Sequence, residues 1–123
     1  MAVTQSRDNR SILAAADLRT QQFKFISLDA KAEGINTGAG LAAFGLCISG
    51  ANTGDAMTVT RSGKTMVICG GTVTVGGDVA ADAAGAAVDA TVGDIILGVA
   101  YEAGVSAQVI SIELNVTSGN VKA

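Results

Sequence analysis

Four aspartates recur through one stretch of small residues, "GGDVAADAAGAAVDATVGD": Asp78, Asp82, Asp89 and Asp94. Closely spaced carboxylates are what a calcium loop is made from, because the hard cation needs several oxygens converging on one point. The intervals here are irregular, apolar residues interrupt them, and the glycine-aspartate repeat of calcium-bearing β-helices is missing. Asp also starts turns and keeps a surface soluble, and that reading accounts for all four. The pairs Gly70–Gly71 and Gly76–Gly77 could suggest a phosphate cradle. Neither is followed by Lys-Ser/Thr or by a predicted helix, so both read as turns.

Cys47 and Cys69 form neither a CxxC pair nor a four-ligand zinc set. They fall at the ends of two predicted strands. A disulfide between them would contribute about 2–4 kcal/mol; two buried free thiols are the alternative that a reducing site of synthesis favours. The chain has no His. A histidine-activated cysteine, a Ser-His triad and imidazole metal ligation are therefore excluded. Paired carboxylates for glycoside chemistry would need a walled cleft and stacking surface. Three Phe and one Tyr supply little of either. A lipoyl or biotinyl carrier would need a lysine at a hairpin tip. Lys64, beside "RSG", is the one hairpin candidate, and the flanking motif is absent. The chain reads as non-enzymatic, with no cofactor and no metal.

The elements that carry these residues read as short strands. "QFKFISL", residues 22–28, alternates with period two and places Phe23 and Phe25 opposite Lys24 and Ile26. "LAAFGLCISG" is an apolar run bounded by glycine. "AMTVT" and "KTMVIC" flank "RSG" as a hairpin. "SAQVISIELN" is a strongly alternating strand. Glycine turns between short strands predict a mainly β domain over residues 22–115, a small barrel or sandwich. Residues 1–21 read as an extended N-terminal arm with a short helical turn, capped by Asn9 or Ser11, as an option. Residues 116–123 read as a flexible tail.

Hydrophobic residues make up 49% of the 123, but Ala and Val dominate them. Small side chains bury little area at roughly 25 cal/mol per Å². A domain so built is expected to draw stability from oligomerisation or from a partner. Charge is split along the chain. Up to Lys31 five bases face three acids, whereas residues 32–114 hold Arg61 and Lys64 against eight acids. An acidic body repels phosphates, so nucleic acid is not an expected partner. No apolar run approaches the ~18 residues that a membrane span requires.

The ordered series of phrases resembles a known family. "AADLRTQQFKFISLDA", "AAFGLCIS", "NTGDAMTVTRSGKTMVICGGTVTVGGDVAADAAGAAVDA" and "DIILGVAYEAGVSAQVISIELN" follow the rhythm of the tailed-bacteriophage head decoration, or capsid cement, proteins. The resemblance spans about residues 15–114. It departs where "GANTGD" lacks the proline that often precedes the Gly-Asp turn. It implies a protein made in the host cytoplasm that coats the outer surface of the capsid, commonly as a homotrimer, and bridges major capsid protein subunits against the pressure of packaged DNA. Arg7, Arg10, Arg19 and Lys24, in the arm and first strand, are the expected capsid-binding residues through charge-assisted contacts. A tail-tube component or an adhesin domain is the alternative.

Overall fold

The computed structural model describes residues 5–6, 9–117 and 119–123. Within them lie β1 (Gln5–Ser6), β2 (Asn9–Leu13), β3 (Phe25–Leu28), β4 (Gly34–Asn36), β5 (Gly45–Ser49), β6 (Ala56–Thr60), β7 (Ser62–Ile68), β8 (Asp78–Ala81), β9 (Ala87–Asp89), β10 (Gly98–Ala100) and β11 (Val109–Asn115). No helix occurs among the described residues. The strands form two antiparallel sheets, in the orders β2-β6-β5-β3-β4 and β1-β7-β11-β10-β8-β9. The expectation of a mainly β, sandwich-like fold is borne out.

The two sheets are one motif built twice. In chain order, each has its first strand paired with its fifth, the fifth with the fourth, the fourth with the second and the second with the third. In each, the chain just past the first strand makes a parallel bridge to the third, Ala14 to Gly34 and Cys69 to Ala87. Eight of the ten left-handed residues among those described match in pairs: Phe23 with Gly76, Ala32 with Gly85, Gly40 with Gly93, and Gly54 with Ala107. Every pair is separated by a constant fifty-three residues. Each sits in a turn, and the closing bonds match too: Lys24 N–H to Gln21 and Gly77 to Thr74, Leu41 to Gly38 and Asp94 to Thr91. The first unit is therefore residues 9–60 and the second 62–115. A unit this short buries too little of its chain to be secure alone, which is a physical reason for pairing two.

Local chemistry explains the matched turns. Asp29 Oδ1 accepts from the N–H groups of Lys31 and Glu33, closing the β3–β4 turn. Asp82 Oδ1 does the same for Ala84 and Ala86 in the β8–β9 turn. Such Asx turns favour Asp because its short side chain reaches the amides two and four residues on. Gly45 and Gly98 are matched by sterics. A Cβ on Gly45 would stand 2.7 Å from the Thr60 carbonyl oxygen, and one on Gly98 would strike that of Glu113, the equivalent residue.

Side chains on the two faces of β3 enter two cores. Ile26 joins Ala14, Leu18, Cys47, Met57 and Val59 inside the first unit. Phe25, with Ala43 and Leu46, joins the larger cluster of the second unit, around Val67, Leu97, Ile110 and Ile112. Around Phe25, Ile26, Leu46 and Cys47 the first sheet is thus buried on both faces, whereas Val99 in β10 and Tyr101 just after it lie open.

Four expectations need correction. "RSG" is not a hairpin loop: β6 and β7 lie in different sheets, and the chain passes between them at Arg61. The positive φ of Gly63, read as a turn residue, falls within β7. The strand predicted over 22–28 begins at Phe25, because Phe23 occupies a left-handed turn. The helical turn before Leu18 is replaced by β2, paired with β6, and Ala14 and Leu18 are core residues. The tail does not stand free: Ile95 bridges Val121, and Lys122 exchanges backbone bonds with Gly93 and Asp94.

Candidate functional site

The four aspartates are committed to the scaffold. Asp82 closes its turn as described. Asp89 accepts from the Thr74 amide and hydroxyl, both at 2.8 Å. Asp94 accepts from the same two groups of Thr91 at 2.9 and 3.1 Å. Asp78 pairs with Lys122 at 3.1 Å. Among the described residues no cluster of three or more His, Cys, Asp or Glu could hold a metal.

Cys47 and Cys69 are both free and buried, one in each core, so the free-thiol alternative is the arrangement present. Burial pushes the Cys47 thiol up to about 11. Burial, helped by the Glu102 charge, raises Cys69 as well. Both stay protonated near neutrality and are poor nucleophiles. Lys64 is not at a hairpin tip. It lies within β7 with its ammonium 4.6 Å from the centre of the Tyr101 ring, and Tyr101 donates to Glu113. That hydrogen bond is the main reason the phenol is raised.

The expected capsid-binding residues divide. Arg7 lies outside the described residues. Arg10 pairs in register with Val59, Val59 with Cys47, and Cys47 bonds through its N–H to the Lys24 carbonyl. Arg10 and Lys24 therefore end one row across the first sheet, roughly 14 Å apart at the usual strand spacing. Arg19 belongs elsewhere, in the segment that follows β2. Its guanidinium grips the Asp17 carboxylate twice, at 2.9 and 2.8 Å. That grip holds the Asp17 carboxyl at about 2, well below its ordinary value.

Arg61 was missed by sequence reasoning, which placed it in a loop. Two residues past Val59 and just beyond the end of β6, it stacks on Phe44 with its guanidinium carbon 4.4 Å from the ring centre and donates to the Phe44 carbonyl at 3.0 Å. The equivalent pair in the second unit is Leu114 with Leu97, both in the larger core. An arginine two residues beyond a buried valine was the available signal. The arrangement offers cations on a rigid sheet and no reacting group, which suits binding and not bond-making.

No protein-family model and no curated protein matches the chain. Among solved structures it is similar to the head fiber gp8.5 N base of bacteriophage phi29. The TM-score is 0.71 at 16% sequence identity, over 94% of this chain and 99% of that one. The two share a fold. The likeness takes in both units, since almost nothing of either chain is left over.

Proposed function

We propose that this chain is a non-enzymatic structural module of a phage virion, seated on the outside of the head and bound to the major capsid protein. The observation that carries the reading is the likeness to a head fiber base over essentially the whole of both chains. The structure adds consistent chemistry: carboxylates used up in turns, thiols buried, and basic side chains held on a firm sheet. Attachment as the base of a larger surface structure is the form this likeness favours. The cement role, in which a homotrimer bridges neighbouring capsid subunits, is the second reading. It is supported by the ordered phrases of the sequence.

One experiment addresses both. Purified chain is mixed with expanded heads that lack it, and the heads are sedimented and then heated. Co-sedimentation at a fixed ratio to the capsid subunit is the expected result, and its absence would sink the virion reading. A rise in the temperature of DNA release marks a cement protein. Binding without such a rise marks a base or adhesin module.

A further inference from the structure

The internal repeat makes a surface comparison available that a single domain would not. Where the units meet, the second contributes Ile68, which donates to the Phe23 carbonyl at 3.0 Å, and Ala81, which accepts from Gly40 at 2.9 Å. It also contributes Gly85, which accepts from the Phe25 amide at 2.7 Å, and Asp94, which packs against Gly40. The equivalents in the first unit are Leu13, Leu28, Ala32 and Leu41. All four are exposed. The leucines are 47%, 37% and 59% accessible, and they are the large apolar side chains that residues 9–61 leave open to solvent.

The other side of the joint has an open counterpart too. The first unit buries Phe25, Ala43 and Leu46 against the second. Their equivalents are Asp78, Ile96 and Val99, which with Glu113 line an open depression of about 260 Å³ on the second unit. Each unit therefore has one surface engaged inside the chain; the complementary edge of the first unit is open, and the depression of the second is bordered on one side by the chain's own Asn120 and Lys122.

We propose that the occupant is a second copy of this chain, bound head to tail. The Leu13, Leu28 and Leu41 edge of one copy enters the depression around Asp78 and Val99 of the next, so that contact between copies repeats the contact between units. Charge supports this pairing over a symmetric one. Residues 9–61 hold five bases and four acids, whereas residues 62–123 hold Lys64 and Lys122 against six acids. Joining two second units would set like charges together; head-to-tail contact joins unlike ends. The interface is heterologous, with different patches on the two partners. It stands on the repeat and not on the virion reading.

The test is sedimentation of the purified chain across a range of concentrations. Two variants are compared, V99D and the double variant L28D/L41D, with circular dichroism and melting as checks that exposed substitutions leave the fold intact. The native chain should self-associate, and each variant should do so at least tenfold more weakly. An equal mixture of the two should regain a dimer, because each keeps the surface the other has lost. A native chain that stays monomeric, variants that associate like the native chain, or a mixture that stays monomeric would each overturn the proposal. Failure here leaves capsid co-sedimentation unaffected, so the two ideas fall separately.

Discussion

Residues 9–60 and residues 62–115 follow one backbone path with different side chains. Both units close their second hairpin strand with an aspartate, at Asp29 and Asp82, and both keep a glycine against a carbonyl, at Gly45 and Gly98. They part company at the left-handed positions. The first unit places Phe23 and Ala32 where the second has Gly76 and Gly85, and the second places Ala107 where the first has Gly54. The difference teaches which constraints are absolute. A side chain that would collide with backbone cannot be traded, whereas a left-handed residue costs only about 1–2 kcal/mol and can be carried elsewhere in the fold.

The largest effect should come from the glycines that face carbonyls. Gly98→Ala and Gly45→Ala each force strands apart, and each is expected to lose about 3 kcal/mol in chemical denaturation. If one proves neutral, the equivalence of the two positions is broken. Next come the turn aspartates. Asp82→Ala strips two amides of their acceptor in a turn that also docks on Phe25, with an expected loss of about 2 kcal/mol. Asp29→Ala removes the same bonds from a turn that touches no other unit, and should cost about 1 kcal/mol less. Equal losses would show that docking of the Gly85 turn adds nothing. The smallest effects should have opposite signs at equivalent sites. Ala107→Gly relieves a φ of 73° and should raise stability by about 0.5–1 kcal/mol. Gly54→Ala imposes the same strain, with open space around the new Cβ, and should lower it by about 1 kcal/mol. Melting curves of the pair decide whether backbone conformation alone governs these turns.

The strand content and the turn role of the aspartates were legible because alternation and Asx chemistry act over a few residues. "SAQVISIELN" alternates, and β11 covers Val109–Asn115. The repeat was not legible. From Gln21 to Arg61 the identities with the second unit are Asp29, Ala30, Gly40 and Gly45 alone. Core positions keep only size and hydrophobicity, as with Met57 and Ile110 or Val59 and Ile112, and small apolar residues interchange freely in such cores. The false hairpin has a similar origin. Arg-Ser-Gly carries the local signature of a turn, but Arg61 is held by Phe44, and the sheet pairing of β7 with β11 is set by residues far along the chain. The site was half legible. Arg10 and Lys24 were picked for charge, and their common row follows from a register that no local pattern encodes.

One feature bears on shape. The units are joined covalently by a single residue, Arg61, yet the joint is not a hinge. β2 lies along β6 and β1 along β7, so strands from the first part of the chain pair on both sides of the crossing. Backbone bonds on both sides of Arg61 hold the angle between the units. Copies added one after another would each turn through that same angle, and the curvature of whatever they build is then written into the short paired strands β1 and β2.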